Sequence, residues 1–591
     1  MKQIKIILRN ILSNKILNSF ILGSLVYITF ITTSLLPAYS LYSWMILPIL
    51  IMLFYKSNLY DKNTYKASLI FSIIFAFIMI IGEKVYALQD VNNVSIWDSM
   101  FNIRNLVILL GNTSIIYLIL TNMIPFLVEK NLNNKKQSKN KISNKKVLFA
   151  AFITILICWL PYYLALFPGT ISPDSISELT MITNNFQTMS DHHPILHVLF
   201  MSIPYTIGLK IFDSANIALA ITSSLQSIIM ALIFAYSILF LYKKNINKYC
   251  ILIILACYAL FPMHGFYSMV MWKDVLFAGS FLLLTIECMK LLQDYQNNII
   301  QKKTLITFTI VSILCVFLRN NAFYMYIFLT PITLILMRKH LKKILIPFII
   351  VFVIYISVKG PIFNALEIKK SASSEYIGMP MQQIGRMAFK GVDFTKEQEK
   401  LLNELMPIEK MKEEYNPRVS DGIKFSKHYN IEVFNKNKLD YAKLWLELII
   451  EYPKIAIEAY LNSTLGYWYP NVQYWSVANN VWENDLGISE EPIVSEKIKE
   501  KILNIENRNV PIITIIWSIG LWFWLFAILV YVAIKKGTFI NVYPFIPSIG
   551  IWITMMVASP VFGEFRYVYC VISTIPVLFV YTLNIDKKPK R

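Results

Sequence analysis

Five short polar sets interrupt an otherwise apolar sequence, and each contains side chains that could do chemistry. They are Pro173-Asp174-Ser175, Asp191-His192-His193-Pro194, Trp272-Lys273-Asp274, Arg319-Asn320-Asn321 and Gly563-Glu564-Phe565-Arg566-Tyr567. Carboxylates and histidines can act as acids or bases, whereas lysine and arginine bind anions such as phosphate. Charged side chains beside apolar runs are costly unless they face a cavity or a partner. We therefore predict that the five sets lie at one membrane face and form one functional site.

Simpler roles stay open for several of these residues. Asp174 could cap a helix, since an Asp in front of a helix commonly does so. Lys273 and Arg319 could extend toward lipid headgroups, although the positive-inside rule favours a specific anion at the outer face. The pair His192-His193 could ligate a metal with a nearby carboxylate, but its spacing matches no firm ligand pattern. We therefore predict no metal ligands and no certain cofactor, with a divalent cation, Mg²⁺ or Mn²⁺, as the alternative.

The composition indicates which class of protein must position these sets. The chain has 591 residues, of which 56% are hydrophobic and only 16% are charged, and its mean hydropathy is +0.53. Soluble domains are about one-quarter charged, so a soluble globular protein, a disordered chain and a secreted disulfide scaffold are excluded. A net charge of +20 would suggest nucleic acid for a soluble protein, but membrane proteins carry excess lysine in cytoplasmic loops. We predict a membrane protein with lipid partners and no nucleic-acid partner.

Apolar runs of helix-spanning length recur along the chain. Because they are continuous rather than alternating, they predict an all-α polytopic membrane protein with about 14 transmembrane helices. The predicted crossings lie near 16–36, 40–55, 67–82, 105–128, 147–168, 215–242, 249–265, 274–291, 304–318, 322–337, 344–358, 511–534, 539–560 and 566–584. The segment 195–212 is predicted as an interfacial or re-entrant helix, with a crossing as the alternative.

Lysine clusters between the crossings set the predicted orientation. They fall on one side of the membrane, which the positive-inside rule makes the cytoplasm. Both termini are therefore predicted to lie in the cytoplasm, and the active site is predicted to lie on the extracytoplasmic side of the cell membrane. The predicted organisation is a four-helix N-terminal module (1–128), a Lys/Asn-rich cytoplasmic linker (129–146), a membrane core (147–358) with a catalytic outer loop (169–214), an extracytoplasmic, mainly helical domain (359–510), and C-terminal crossings with a basic tail (511–591).

The order of these residues resembles that of the GT-C class of integral-membrane glycosyltransferases. The matching residues are Asp174 in the first large outer loop, His193-Pro194 at the start of a surface helix, Asp274 at the outer end of a later helix, and Arg566-Tyr567 before a late crossing. The segments EYIGMPMQQIGR (375–386), YNPRVSDGIK (415–424) and GYWYP (466–470) are also similar to an uncharacterised group of bacterial multi-pass proteins. The sequence departs from the commoner pattern by its inserted outer domain, its four extra N-terminal helices, and a lone acid at Asp174.

The resemblance implies a GT-C-like core and an inverting transfer of a sugar. The donor would be a polyprenyl-phosphate sugar, and the acceptor an extracytoplasmic glycan, lipid or protein. Asp174 would be the catalytic base, with Asp191 as the second choice. The leaving phosphate would be bound by Lys273, Arg319, Arg566, His192 and His193. The residues that would orient those groups or bind the sugar are Asp274, Asn320, Glu564, Tyr567 and Trp468.

Other functions stay open from the sequence alone. A flippase or transporter would place polar sites near the membrane midplane, on broken helices and in repeated halves, whereas this chain carries its charges at helix ends. A polymerase or ligase of lipid-linked saccharides would, like a glycosyltransferase, bind a lipid-linked phosphate with outer arginines. Trp468 could stack on a sugar or belong to an aromatic belt at the membrane surface.

Overall fold

The structure is a computed structural model that describes residues 14–38, 40–57, 65–91, 94–132, 142–371, 377–472, 474–506, 511–558 and 561–586. Across these residues the chain is helical, with three isolated β-bridges and no β-strand. Eleven of the described helices are long and apolar enough to cross a membrane, or twelve if one bent pair forms a single span. The prediction of an all-α polytopic membrane protein is confirmed.

The helices are numbered in chain order. They are α1 (Lys15–Thr32), α2 (Leu41–Lys56), α3 (Tyr65–Leu88), α4 (Ile103–Glu129), α5 (Asn144–Ala165), α6 (Pro173–Thr183), α7 (Ile195–Phe212), α8 (Ala215–Lys243), α9 (Lys248–Leu260), α10 (Pro262–Met269), α11 (Lys273–Gln296), α12 (Lys302–Leu318), α13 (Asn321–Leu336), α14 (Leu341–Ser357), α15 (Phe363–Ala365), α16 (Gly378–Phe389), α17 (Lys396–Leu405), α18 (Ile408–Glu414), α19 (Asp421–Lys424), α20 (Ile431–Lys436), α21 (Lys438–Glu451), α22 (Pro453–Thr464), α23 (Glu496–Leu503), α24 (Pro511–Trp517), α25 (Ile519–Lys536), α26 (Ile546–Ala558) and α27 (Phe565–Leu583). A π-helical turn, Val358–Ile362, joins α14 to α15, and 3₁₀ turns lie at Arg338–His340, Leu465–Tyr467, Asn504–Glu506 and Phe539–Phe545.

Fewer helices are of spanning length than the sequence predicted, because several predicted crossings are short or bent. α2 and α13 have 16 residues each and α12 has 17. At about 1.5 Å per residue, each is shorter than the roughly 30 Å of a bilayer core. α9 and α10 form the bent pair, with an angle of 46° between them. The bend coincides with Pro262, which has no N–H to continue the helical hydrogen bonds.

α7 is the segment that was predicted to lie at the membrane interface. It is an apolar helix of 18 residues, long enough to cross a membrane, and it packs against α6 and α8. Its position relative to the bilayer stays a prediction.

The chain forms two compact units, each assembled from two separate pieces of sequence. The first comprises Met1–Lys130 and Met379–Leu465, and the second comprises Asn131–Gly378 and Gly466–Arg591. The segment 359–510, predicted as one domain, therefore contributes to both units. Within the first unit, α22 packs against the membrane helix α3, which explains why this part of the segment joins the N-terminal helices.

A buried ion pair holds the two pieces of the first unit together. Arg386 on α16 is fully buried, and its Nη1 donates to the carbonyl oxygen of Gln89 at 2.6 Å. Its Nη2 lies 3.4 Å from Oε2 of Glu458 on α22. Glu458 also accepts a hydrogen bond of 2.7 Å from the Ser95 hydroxyl in the turn between α3 and α4. The segment that contains Arg386 therefore has a structural role in this unit.

α11 is the central helix of the second unit. About nine-tenths of its apolar stretch is buried (89%), and it packs against α8, α12 and α27. Gly279 permits the close approach of α8, because an added Cβ would lie 2.8 Å from the Met230 sulfur. Lys273 and Asp274 lie in the first turn of this helix. Because the helix is buried, the positions of their Cα atoms are fixed by its packing.

Some predicted features fall outside the described residues. They are residues 1–13 of the N-terminal module, residues 133–141 of the linker, and residues 587–591 of the basic tail.

Candidate functional site

α6 carries the first two carboxylates of the site. Ser172 is the N-cap of this helix and Pro173 opens its first turn, the position at which proline costs no hydrogen bond. Asp174 lies one residue further on, inside the helix, so the capping alternative for Asp174 is wrong. Glu178 follows four residues later and shares a helix face with Asp174.

Asp174 is held between two cations from distant helices. Its Oδ2 lies 2.8 Å from Nη1 of Arg566 and 3.4 Å from Nζ of Lys273. Burial raises the pKa of Asp174, but the charges of Lys273, Arg566 and His193 outweigh burial, so the pKa lies well below its usual range. The lysine and the arginine therefore stabilise the ionised form of Asp174.

Arg566 is enclosed by aromatic rings and a second carboxylate. Its guanidinium carbon lies 4.9 Å from the Trp272 ring centroid and 5.1 Å from that of Tyr567, and its Nε pairs with Glu564. The Trp272 indole donates a hydrogen bond of 2.8 Å to the Ser172 hydroxyl. Because the planar guanidinium stacks well on aromatic faces, these rings fix the orientation of Arg566 toward α6.

Glu564 is the buried carboxylate that precedes α27. Burial raises the pKa of its carboxyl above the usual value, against the opposing charge of Arg566. The carboxylates of Asp274 and Asp174 add to the rise. The raised pKa means that Glu564 takes up a proton more readily than an exposed glutamate does.

A second arginine and carboxylate pair adjoins the first. Arg319, which follows α12, places Nη1 at 2.6 Å from Oδ1 of Asp274, and its guanidinium carbon lies 4.7 Å from the Tyr567 ring centroid. The side chains of Arg319 and Asp274 are 9% and 1% exposed. The Tyr567 ring therefore has two guanidinium groups near it, those of Arg319 and Arg566.

Glu178, one helical turn after Asp174 on α6, contacts two histidines. Its Oε1 lies 3.4 Å from Nδ1 of His193, and its Oε2 pairs with Nδ1 of His197. Burial raises the pKa of Glu178, but the histidines oppose burial and hold the pKa at about 2. His193 also lies 3.5 Å from Nζ of Lys273. His193 is therefore linked to Asp174 through Lys273.

Asp191, the second choice for the base, forms an ion pair with Lys359. Lys359 also donates to Oδ1 of Asn320 at 3.0 Å, and the Asn320 amide donates to the Asp191 carbonyl oxygen at 3.1 Å. Lys359 lies in the π-helical turn Val358–Ile362, a feature that is frequent at functional sites. Asp191 and Asn320 therefore form a separate group with Lys359. Asp191 precedes His193 by two residues, and Asn320 directly follows Arg319.

Two glycines bring the motif GYWYP against the turn that carries Glu564. The N–H of Gly466 donates to the Phe562 carbonyl oxygen at 2.7 Å. A Cβ added at Gly466 would lie only 2.6 Å from the Gly563 Cα, closer than side chains tolerate. The motif therefore sets the position of the turn that leads into α27, whose second residue is Arg566.

We expect Gly466→Ala to destabilise the protein by about 1–3 kcal/mol, the usual cost of overpacking a rigid contact. The melting temperature of the detergent-solubilised protein measures the effect. Gly360→Ala is the control, because an added Cβ there meets open space. Equal melting temperatures for both variants would contradict the assigned contact.

Glu178 predicts a pH dependence of stability. Its native pKa of about 2 lies below the ordinary value of 4.5, so its contribution is complete above pH 4.5 and is lost as the pH falls toward 2. The contribution amounts to about 3 kcal/mol, since one pKa unit corresponds to about 1.4 kcal/mol. We expect the advantage in melting temperature of the wild type over Glu178→Gln to shrink below pH 4.5. The exposed Glu483→Gln should show no such change, and a constant advantage down to pH 3 would disprove the expectation.

The remaining predicted residues have other surroundings. The ring of His192 stands edge-on to that of His193, at 4.6 Å between centroids. Trp468 is buried, and its carbonyl oxygen accepts a hydrogen bond from the Trp524 indole at 2.8 Å. Its role in stacking on a sugar stays a prediction. Within the described part of the chain, no three or more His, Cys, Asp or Glu side chains are grouped to hold a metal ion.

Sequence reasoning missed Glu178 and Lys359 as parts of the site. Glu178 was detectable, because it lies four residues after Asp174 in a short helical segment with polar and apolar faces. Lys359 gave no such signal, since it ends an apolar run where a lysine ordinarily extends to the membrane surface.

Comparison with known proteins identifies one family. Residues 181–591 match DUF6020, a family of unknown function. The chain belongs to this family. The DUF6020 region includes Lys273, Arg319 and Arg566, and it begins after Asp174 and Glu178. No curated protein and no solved structure matches the chain.

Proposed function

We propose that the chain is a membrane glycosyltransferase that moves a sugar from a polyprenyl-phosphate donor to an extracytoplasmic acceptor, with inversion. The acceptor is a cell-envelope glycan, a lipid or a protein. The observation that carries this proposal is the pairing of the Asp174 carboxylate with Arg566 and Lys273, at 2.8 and 3.4 Å. One carboxylate and two cations of this kind are what a base and a phosphate leaving group require.

Phosphate and Asp174 compete for the same cations in this proposal. A donor phosphate that binds Arg566 and Lys273 draws their charge away from Asp174. Because those charges hold the pKa of Asp174 below its usual range, phosphate binding raises that pKa and makes the carboxylate a stronger base. The acceptor hydroxyl then loses its proton to Asp174 and attacks the anomeric carbon from the face opposite the phosphate.

Further groups of the cluster support a phosphate ligand. Arg319 lies by the same aromatic ring as Arg566, so a second guanidinium group is near. The phosphate leaves as an anion and needs no general acid. Glu564, whose pKa is raised, offsets the added negative charge by taking up a proton. We propose that this cluster faces the outside of the cell membrane and that the termini are cytoplasmic, as the lysine distribution predicts.

The test uses the full-length protein in lipid nanodiscs with a panel of radiolabelled polyprenyl-phosphate hexoses and a cell-envelope extract as acceptor. We expect loss of sugar from at least one donor, and a large loss of that activity in Arg566→Gln. The exposed Arg338→Gln is the matched control. An assay with and without EDTA decides between metal-free transfer and a requirement for a divalent cation.

Transport of an intact donor across proteoliposomes, without loss of sugar, would overturn the proposal and favour a flippase. Joining of preassembled lipid-linked saccharides, with no transfer of single sugars, would instead favour a polymerase or ligase.

A further inference from the structure

A continuous chain of titratable groups leads from Asp174 into the protein interior. Lys273 Nζ lies 3.4 Å from Asp174 Oδ2 and 3.5 Å from His193 Nδ1. The same Nδ1 lies 3.4 Å from Glu178 Oε1, and Glu178 Oε2 pairs with His197. Asp174 is 29% exposed, whereas Glu178 is 1% exposed. This series of titratable side chains therefore begins at the open part of the site and ends in the core.

One nitrogen atom of His193 faces two groups with opposite demands. Lys273 has only donors, so it requires an Nδ1 without a proton. Ionised Glu178 has only acceptors, so it requires an Nδ1 that carries a proton. Because Nδ1 cannot satisfy both at once, it can bond to Lys273 only without a proton and to Glu178 only with one.

The other neighbours of His193 do not remove this competition. The ring of His192 stands edge-on at 4.6 Å. At the inner end of this series of groups, the buried His197 Nε2 has no hydrogen-bond partner among the described residues. Arg566 approaches Asp174 rather than the histidines. A proton that reaches His193 is therefore held by Glu178, and within the described part of the protein no hydrogen bond leads onward from His197 Nε2.

We propose that His193 receives, through Lys273, the proton that Asp174 removes from the acceptor hydroxyl, and that Glu178 is the positioning residue that holds His193 for this transfer. This inference rests on the proposed glycosyltransferase function. It assigns a role in the reaction to His193 and to Glu178. In the described structure, these residues do not contact Arg566 or Arg319.

The transfer balances in protons and charge. The acceptor O–H bond breaks and an O–H bond forms on Asp174. Asp174 then passes its proton to Lys273 as the Lys273 ammonium gives one of its own protons to His193 Nδ1. The carboxylate and the ammonium are regenerated, and an imidazolium forms opposite Glu178. After the products leave, the proton returns by the reverse steps through Lys273 to Asp174, which is 29% exposed, and passes from Asp174 to water.

The first test needs no turnover and uses the full chain labelled with ¹⁵N-histidine in nanodiscs. The chain has six histidines, and His193→Gln identifies the signal of His193. We expect the titration midpoint of the His193 ring to move to lower pH by about one unit or more in Glu178→Gln, because an opposite charge stabilises the imidazolium. Glu287→Gln is the matched control, since Glu287 is also buried but pairs with Lys290.

The second test is the dependence of kcat on pH. His193 must be unprotonated to accept a proton, so the rate falls on the acidic side. In Glu178→Gln we expect that limb to move to lower pH and kcat to fall by about 10- to 100-fold, with the donor KM unchanged. Glu178→Asp should restore part of the rate. A lower kcat with the acidic limb in its original place would overturn the proposal, because Glu178 would then act through structure alone.

The two tests separate this proposal from the proposed function. Sugar transfer without a shift of the His193 midpoint would disprove the relay and leave the glycosyltransferase standing. A midpoint shift in a protein that consumes no donor would disprove the glycosyltransferase, and the relay with it.

Discussion

Asp174→Asn is expected to reduce sugar transfer by about 100- to 10,000-fold, the usual contribution of a catalytic base. The donor KM should stay constant or decrease. The reason is that Asp174 occupies Arg566 and Lys273, at 2.8 and 3.4 Å, and the neutral amide releases both cations to the donor phosphate. Initial rates over a range of donor concentrations measure kcat and KM separately.

The control for this variant is Asp485→Asn, which makes the same substitution at an exposed position of the same unit. Inorganic phosphate provides a second readout without turnover, because it should bind Asp174→Asn more tightly than the wild type. An increase in donor KM with unchanged kcat would show that Asp174 only organises its cations, and the assignment as base would fall.

Arg386→Ala is expected to produce the largest loss of stability, about 3–5 kcal/mol, because it leaves a buried carboxylate without its partner. Arg386 is fully buried and pairs with Glu458, and it also donates to the Gln89 carbonyl oxygen. Lys390, at 3.9 Å from Glu458, would be the nearest remaining charge. Thermal unfolding of the detergent-solubilised protein measures the effect.

Arg418→Ala is the matched control for Arg386→Ala. Arg418 pairs with Asp90, the residue after Gln89, but both side chains are largely exposed (41% and 65%). An exposed pair contributes about 1 kcal/mol or less, so this variant should unfold close to the wild-type temperature. Similar losses for the two variants would mean that the ion pair of Arg386 does not hold the first unit together.

Much of the membrane architecture could be predicted because hydropathy is a local property. A run of apolar residues must satisfy its own backbone hydrogen bonds in lipid, and a helix does so within the run. This is why α4, α5, α8 and α27 appear close to their predicted positions. The predicted number of crossings exceeds the eleven or twelve described helices of spanning length because α2 and α13 have only 16 residues each and because the run at Pro262 is bent.

The candidate site was predictable in its residue types but not in its pairs. Charged groups at helix ends are costly in a membrane, so Asp174, Lys273, Arg319 and Arg566 stood out in the sequence. The pairing of Asp191 with Lys359, which separates the second candidate base from Asp174, could not be seen there. Ion pairs depend on distances between atoms, and these are set by helices that are far apart in the chain.

The sequence by itself determined that this protein is a polytopic helical membrane protein and which few side chains are able to do chemistry. Both conclusions rest on the cost of placing polar groups in an apolar medium, which each short segment of sequence reveals. Only the tertiary structure decided that Glu178 links two histidines to Lys273, that Gly466 abuts Gly563, and that 359–510 is divided between two units. Those features arise from packing between distant segments, for which local composition carries no signal.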